Sequence, residues 1–152
     1  MTFRREMKSE IIKSKIEKIK DSLIFIEDNL PSTPDELSAS RLIKNALYKE
    51  IEFAIELVLD ICSLINAGLR LGIPETEENV LDNLERKKIF GVSGIKLIRE
   101  MKKFRNILVH KYGEINDKKA HEDIKEGLKD FELIIKEIEK FLEEYKNKEK
   151  KK

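Results

Sequence analysis

The chain has 152 residues, which most simply form one domain spanning residues 1–152 with a substantial buried core. Apolar and charged residues each make up 40% of the sequence, a balance typical of amphipathic helices with charged outer faces. A formal net charge of only +1 excludes a protein-wide basic field, so any binding of nucleic acid requires a local patch.

The single cysteine and the distribution of apolar residues along the chain indicate in which cellular compartment the protein is expected. Cys62 has no partner for an internal disulfide, as is typical of proteins in a reducing environment, and it lies on an apolar stripe where we expect small core filling. No apolar run approaches the roughly 20 residues that span a bilayer, and residues 1–8 lack the apolar stretch of a secretion signal. We therefore expect a cytoplasmic protein without a membrane segment.

The first predicted helix covers residues 7–29. Its apolar side chains recur at alternating spacings of four and three residues, which places them on one stripe, and Pro31 ends the pattern. The stripe consists of Ile12, Ile16, Ile19, Leu23, Ile26 and Leu30.

The second segment opens with a helix-start signature in which Thr33 is the cap, Pro34 lies in the first turn and Glu36 reaches back toward the cap. A straight helix over residues 33–71 would be about 58 Å long, which is too long for a compact domain, so we expect a break near Ser38. The long helix after the break is predicted to end before Gly68 or Gly72. Its apolar positions are Leu42 or Ile43, Leu47, Ile51, Ala54, Ile55, Val58, Cys62 and Ile65.

The third and fourth predicted helices follow a loop at residues 72–76. The third covers residues 77–88. Ser93, between two glycines, is expected to cap the fourth, and Gly113 is predicted to end it in a left-handed conformation. The buried face of the fourth helix carries Ile95, Ile98, Met101, Phe104 and Leu108.

The last predicted helix begins near Asn116 or Asp117 and fades into the lysine-rich residues 146–152, which we expect to be a frayed, solubilising tail. Its apolar positions are Ile124, Leu128, Phe131, Ile135, Ile138 and Leu142. The pattern as a whole predicts an all-α bundle of five helices.

Chemistry is concentrated in residues 104–113, which contain Arg105, Asn106, His110 and Tyr112. An arginine offers a permanent cationic fork for a phosphate, and a histidine exchanges a proton near neutral pH, so the pair suits phosphodiester chemistry without a metal. Arg105 and His110 are five residues apart, which is about 140° around a helix, so they converge poorly within one chain. Two copies facing each other across a two-fold axis would bring them together better.

The run Phe104-Arg105-Asn106-Ile107-Leu108-Val109-His110-Lys111-Tyr112 resembles the R-x-x-x-x-H-x-Y signature of HEPN-domain proteins, specifically of the HepT toxins, also called the DUF86 family. The helix RLIKNALYKEIEFAIELVLD, residues 41–60, is similar to the second helix of that family. The resemblance covers roughly residues 7–142, although only the motif is specific. It implies a homodimeric, up-and-down four-helix bundle with an additional short helix.

The resemblance also implies a function, that of a metal-independent endoribonuclease toxin paired with a minimal nucleotidyltransferase antitoxin, as in HepT/MntA pairs. Arg105 would bind the scissile phosphate, His110 would act as general acid or base, and Asn106 would orient the phosphate or the imidazole. Tyr112 would be AMPylated by the partner, which uses ATP, while the toxin itself needs no cofactor. An alternative within the same family is a non-catalytic subunit that binds nucleotide or acts as an adaptor.

Basic residues near the motif are candidates for RNA binding. Arg99, Lys102 and Lys103 precede Arg105 on the same predicted helix and extend its positive charge, and Lys111 follows the motif histidine.

Other polar and aromatic residues have simpler interpretations. His121 is expected to be solvated in the first turn of the last helix. Glu56 and Asp60 are four residues apart but lack a third ligand, so a polar helix flank is favoured over a metal site. The phenylalanines at helical spacing are predicted to lie in the core: Phe25, Phe53, Phe104, Phe131 and Phe141.

Overall fold

Six α-helices and one 3₁₀ turn make up residues 7–151, the part of the chain that this computed structural model describes. The helices are α1 (Ser9–Asn29), α2 (Pro34–Ala39), α3 (Arg41–Gly68), α4 (Glu77–Arg86), α5 (Val92–His110) and α6 (Asp117–Lys150), and the 3₁₀ turn is Tyr112–Glu114. No strand occurs within these residues, and none of the helices described is long and apolar enough to cross a membrane.

Four of the helices, α1, α3, α5 and α6, form an up-and-down bundle, which confirms the predicted fold class. Helix α3 packs between α1 and α5, and α6 closes the bundle against α5 and α1. The short helix α2 lies against α6 and α3, and α4 lies against α3 and α5. Helix α4 is therefore placed beside the half of α5 that carries the motif.

The structure has one helix more than the five predicted because two capping residues follow each other closely. Thr33 Oγ1 accepts a hydrogen bond from the Glu36 amide at 3.2 Å, as predicted, and starts α2. Ser40 Oγ accepts from the Ile43 amide at 3.2 Å and starts α3. The break predicted near Ser38 therefore lies at Ser40, and residues 34–39 form a separate short helix.

The predicted stripes of α1 and α3 form much of the core. Ile12, Ile19 and Ile26 of α1 are completely buried, as is Cys62 of α3. Burial raises the pKa of the Cys62 thiol to about 12. Each aliphatic side chain buried in this way contributes about 1.5–3 kcal/mol relative to an exposed one.

Two of the phenylalanines predicted to lie in the core are exposed. Phe25 is 39% exposed and Phe53 is 43% exposed. Each lies one helical position, about 100°, away from a buried neighbour, Ile26 and Ala54 respectively, and so falls beside the buried stripe rather than on it. Leu42, predicted as a possible first core position of α3, is also exposed.

The ends of α5 differ from the prediction. Ser93 lies inside the helix and does not cap it; Gly91 is the N-cap residue, and its amide donates to Glu137 Oε1 of α6 at 3.3 Å. After α5 the chain enters the 3₁₀ turn, and Gly113 lies inside it without a positive φ. The predicted left-handed end of the helix at Gly113 is therefore not found. Among the glycines of residues 7–151, Gly72 alone has a positive φ, at 108°.

Helix α6 starts as predicted, with Asn116 Oδ1 accepting from the Lys119 amide at 3.2 Å. It continues to Lys150, so the frayed tail predicted from residue 146 is not found up to that point; Lys152 lies outside the described residues. The spacing of Glu144 and Lys148, four apart with the acid first, favours continuation of the helix.

His121 is buried, at 5% exposure, and the prediction that it is solvated is wrong. Its Nε2 lies 2.7 Å from the Pro31 carbonyl oxygen. The loop between α1 and α2 covers this part of α6, a tertiary contact that local sequence spacing does not reveal.

Candidate functional site

The motif residues lie at the C-terminal end of α5 and in the turn that follows. Arg105 and Asn106 belong to the penultimate turn of α5, His110 is its last residue, and Tyr112 begins the 3₁₀ turn. Arg105 is buried, whereas His110 and Tyr112 are exposed. The candidate site is therefore a guanidinium set into the protein with an exposed imidazole and phenol nearby in sequence.

Arg105 is held by side chains from three helices. Its Nε donates to Asn106 Oδ1 at 2.9 Å, its Nη1 donates to Glu56 Oε1 of α3 at 2.6 Å, and its Nη2 donates to Glu77 Oε1 of α4. Burial by itself lowers the pKa of Arg105, but the hydrogen bonds to Glu77 and Glu56 outweigh it and the pKa is raised. Arg105 is 8% exposed, so it is part of the protein interior and not a solvated surface residue.

The immediate surroundings of Arg105 carry more negative than positive charge. Two carboxylates, Glu56 and Glu77, face one guanidinium, which leaves a local excess of one negative charge. Both carboxylate side chains are more than one third exposed, so water screens them partly. A phosphate approaching Arg105 therefore meets a cation that is already neutralised.

Tyr112 lies at the rim of a second feature, a cavity of about 300 Å³. Its hydroxyl donates to Asn45 Oδ1 of α3, and its ring meets the Tyr48 ring edge-on, with centroids 5.9 Å apart and an interplanar angle of 81°. Burial raises the pKa of Tyr112; the positive charges of Lys44 and Arg41 oppose this rise. The residues lining the cavity are Asn45, Tyr48, Lys49, Glu52, Leu108 and Tyr112.

A polar network anchors the Tyr48 ring behind Tyr112. Tyr48 is 2% exposed, and its hydroxyl donates to Asp117 Oδ1 of α6 at 2.6 Å. Asp117 Oδ2 accepts from Ser38 Oγ at 3.1 Å and from Lys44 Nζ at 3.4 Å. Burial, with the Asp117 hydrogen bond, strongly raises the pKa of Tyr48. This network ties α2, α3 and α6 together beside the end of α5.

His110 is not joined to Arg105 within the chain. No hydrogen bond or ion pair to His110 occurs among residues 7–151, and the two side chains diverge by about 140° on α5. The structure thus brings Asn106 together with Arg105, and Tyr112 together with Asn45, but it does not form one site from Arg105 and His110.

Two of the four basic residues predicted to bind RNA are engaged by α4. Arg99 pairs with Glu78 and Asp82 at 2.6 Å and with Glu85 at 2.9 Å, and Lys102 pairs with Glu78 at 2.7 Å. The hydrogen bond from Lys102, and to a smaller extent that from Arg99, lowers the pKa of Glu78.

Lys103 and Lys111, the other two, are exposed. The positive charge available for a phosphate near the motif is therefore smaller than the sequence indicates.

Comparison with known proteins identifies the family. The family model described as "Ribonuclease HepT-like" matches residues 12–138. The chain belongs to this family. No curated protein shows significant sequence similarity to it.

Solved structures share the fold of this HepT-like chain. A tri-AMPylated HEPN toxin of Shewanella oneidensis in complex with its MNT antitoxin is 25% identical, with a TM-score of 0.78 over 85% of this chain and 96% of the other. A mutant of the MntA–HpeT toxin–antitoxin is 23% identical, with a TM-score of 0.77 over 85% of this chain and 98% of the other. The cytosolic protein YutE of Bacillus subtilis, of unknown function, is 17% identical, with a TM-score of 0.77 over 91% and 93%.

Sequence reasoning missed the carboxylates around the motif of this HepT-like chain. Glu56 and Asp60, weighed as metal ligands, instead pair with cations of other helices: Glu56 with Arg105, and Asp60 with Lys15 at 3.4 Å. No group of three possible metal ligands occurs in the described part of the chain. A signal for Glu77 was present in its spacing, because it lies four and seven residues before the buried Leu81 and Leu84 and so shares the face of α4 that packs against the bundle.

Proposed function

We propose that this HepT-like chain is a metal-independent endoribonuclease toxin that cuts RNA at a composite site on a homodimer. The observation that carries the proposal is the end of α5, where a family signature places an oriented guanidinium, Arg105, just before an exposed imidazole, His110. These two groups supply the charge and the proton exchange that phosphodiester cleavage needs.

In this mechanism the ribose 2′-hydroxyl attacks the adjacent phosphorus as it loses its proton. The bond from phosphorus to the 5′-oxygen of the next nucleotide breaks, and that oxygen takes up a proton. His110 serves as the base or the acid in these transfers. Arg105 binds the phosphate and stabilises the negative charge that develops on it, and Asn106 fixes the orientation of the guanidinium.

A second copy of the chain completes the site in this proposal. Arg105 and His110 do not meet within one chain, so each would act with groups of the other copy across a two-fold axis. Exposed apolar side chains beside the site support this. Phe53 is three residues before Glu56 on α3, Val109 is four residues after Arg105 on α5, and they are 43% and 46% exposed.

Substrate RNA would be held by the basic residues near the motif. Lys103 and Lys111 are exposed and can contact phosphates directly. Arg99 and Lys102 contribute only if they exchange carboxylates of α4 for phosphates, so we expect their contribution to be smaller.

The partner in this proposal is a minimal nucleotidyltransferase that AMPylates Tyr112. The Tyr112 oxygen attacks the α-phosphorus of ATP, the new O–P bond forms as pyrophosphate leaves, and the phenolic proton passes to a base. The tri-AMPylated state of the Shewanella oneidensis toxin supports this step. Tyr112 is 43% exposed, whereas Tyr48 beside it is buried and donates to Asp117, so of these two tyrosines Tyr112 is the accessible one.

RNA cleavage in the presence of EDTA tests the catalytic part. We expect Arg105→Ala and His110→Ala each to lower the cleavage rate by about 10²-fold or more, with the helical circular dichroism retained. Lys140→Ala, an exposed change on α6, is the matched control and should cleave normally. Loss of wild-type cleavage on adding EDTA, or full activity of both variants, would contradict the mechanism.

Intact mass spectrometry tests the modification. The chain is expressed alone and together with an MNT-type nucleotidyltransferase and ATP, and both forms are assayed for RNA cleavage. We expect mass increments of AMP on Tyr112 only in the second sample, together with loss of cleavage. Tyr112→Phe should abolish the mass increments. Tyr48→Phe, the same substitution at the neighbouring tyrosine, whose ring centroid lies 5.9 Å from that of Tyr112, should keep them.

The engagement of Arg105 by two carboxylates favours a second candidate, a non-catalytic subunit that binds nucleotide or acts as an adaptor for the nucleotidyltransferase. It predicts tight association with that partner and no RNA cleavage even at high protein concentration.

A further inference from the structure

We infer that Glu77 is a placeholder for the RNA phosphate: it occupies Nη2 of Arg105 in the free chain, and the phosphate displaces it while Glu56 keeps the guanidinium in position. This inference rests on the proposed function, in which Arg105 binds the phosphate. It assigns a specific role to α4, the short helix outside the four-helix bundle.

The chemistry of the guanidinium singles out Glu77. A guanidinium has two edges that present a pair of parallel N–H groups to a phosphate, Nε with Nη2 and Nη1 with Nη2. Both edges include Nη2, the nitrogen that donates to Glu77. Nη2 has one N–H group on each edge, so a bidentate phosphate competes with the Glu77 carboxylate on the edge whose N–H that carboxylate accepts.

The two carboxylates differ in how firmly the fold holds them. Glu56 lies in the middle of α3 between Ile55 and Leu57, which are 1% and 5% exposed. Glu77 is the first residue of α4 and follows the exposed residues 72–76. Rotation of the Glu77 side chain toward solvent breaks no other hydrogen bond that the structure shows for it.

Release of Glu77 frees Nη2 for a phosphate, and on the edge formed by Nε and Nη2 Asn106 is then the remaining neighbour. Asn106 now accepts from Nε, and a half-turn of its amide would present the NH₂ group to a bound phosphate oxygen. Glu56 stays on Nη1. The result is a phosphate held by two nitrogens of Arg105 and by Asn106, with Glu56 on the far side of the guanidinium.

The consequence is a variant that binds RNA better than the wild type. Glu77→Gln keeps the size of the side chain and removes the charge that the phosphate must displace. We expect affinity for RNA to rise about 5- to 10-fold, roughly 1 kcal/mol, which is the size of a partly exposed ion pair. A purely structural role for Glu77 predicts the opposite, since loss of the α4–α5 contact would weaken the site.

The measurement is fluorescence anisotropy with a labelled, single-stranded 2′-O-methyl oligoribonucleotide of mixed sequence, which lacks the attacking hydroxyl and is not cut. Glu75→Gln is the matched control, because it removes the same charge two residues earlier, from a side chain without a hydrogen bond to any cation in the described structure. The double variant Arg105→Ala/Glu77→Gln shows whether the gain in RNA affinity depends on Arg105.

We expect a gain in affinity for Glu77→Gln and none for Glu75→Gln. We expect the double variant Arg105→Ala/Glu77→Gln to bind RNA no better than the single variant Arg105→Ala. With cleavable RNA, Glu77→Gln should lower KM without lowering kcat, while Glu56→Gln, which loosens the guanidinium, should lower kcat. Equal affinities of the wild type and Glu77→Gln, a gain that persists without Arg105, or no binding by any variant would overturn the inference. The binding measurement does not depend on cleavage. A wild type that binds RNA but does not cut it would refute the proposed function, and the effect of Glu77→Gln on affinity could still be interpreted.

Discussion

Asp117→Asn is the change that best tests the network behind Tyr112. Asp117 is the first residue of α6 and accepts hydrogen bonds from Tyr48, Ser38 and Lys44. Asparagine keeps the shape and one acceptor oxygen but removes the negative charge. The substitution therefore converts a charge-assisted hydrogen bond from a buried phenol into a neutral one.

The expected loss of stability is about 1.3–3 kcal/mol, the sum of three contributions. The change from a charged to a neutral acceptor for Tyr48 costs about 1 kcal/mol. Loss of the Lys44 ion pair adds up to about 1 kcal/mol. Loss of the acid in the first turn of α6 adds about 0.3–1 kcal/mol. In a domain of this size the sum lowers Tm by about 3–12 °C.

The direction of the Asp117 pKa shift determines how the loss of stability in Asp117→Asn depends on pH. Burial raises the pKa of Asp117, but the hydrogen bonds from Tyr48, Ser38 and Lys44 outweigh it, so the pKa in the folded chain is lowered. A lowered pKa stabilises the fold fully above the unfolded value of about 3.9, and this stabilisation is lost as pH falls below it. The difference in stability between wild type and Asp117→Asn should therefore be complete near pH 7 and smaller near pH 3, and it should go on falling as pH falls through the lowered pKa of the folded chain.

Urea unfolding followed by circular dichroism measures this difference at both pH values. Asp123→Asn is the matched control on the same helix, because burial and the neighbouring carboxylates raise the pKa of Asp123. Its substitution should leave stability unchanged or slightly increase it near pH 7. A penalty for Asp117→Asn that is the same at both pH values, or no penalty at all, would refute the assignment of Asp117 as an ionised anchor.

Three further predictions concern stability and accessibility. Leu81→Ala should cost about 2–5 kcal/mol in urea unfolding because Leu81 is completely buried, whereas Leu42→Ala, 82% exposed, should change stability by less than about 0.5 kcal/mol. Gly72→Ala should cost about 1–2 kcal/mol from backbone strain alone, while Gly113→Ala, which has free space and no positive φ, should not destabilise the fold. The Cys62 thiol, with a pKa raised to about 12 by burial, should react with a disulfide reagent near pH 8 only as fast as the chain unfolds, and rapid labelling of the folded chain would disprove its burial.

The sequence was sufficient for the helices because they depend on local signals. The stripe of Ile12, Ile19 and Ile26 predicts α1, and the caps at Thr33 and Asn116 set two helix starts that the structure confirms. The errors occur where a tertiary contact replaces a local one. The start of α5 is satisfied by Glu137 of another helix and not by its own serine, and His121 is covered by a distant loop.

The candidate site was predictable only in part, for the same reason. The signature predicts which residues of α5 carry chemistry, and the family match over residues 12–138 includes this segment, but the roles of these residues stay a prediction. Periodicity does not show that Glu56 and Glu77 come from two other helices to meet Arg105, because that depends on how α3 and α4 pack against α5. The availability of Arg105 to a phosphate is therefore a property of the tertiary structure.

Two negative groups would oppose RNA binding in the proposed toxin, Glu77 at Arg105 and an AMP group on Tyr112, and they differ in how they can be removed. Glu77 is held on Arg105 by an ion pair that is partly exposed, so an RNA phosphate can displace it at a cost of about 1 kcal/mol. An AMP group on Tyr112 would be bound covalently, so RNA could not displace it at any concentration. The first would lower the affinity of the free chain for RNA while leaving the proposed activity in place, and the second would require an enzyme to reverse it. The arrangement explains why an electrostatic contact within the chain would not be sufficient as an antitoxin, and why the exposed phenol of Tyr112 is the group that a partner would modify.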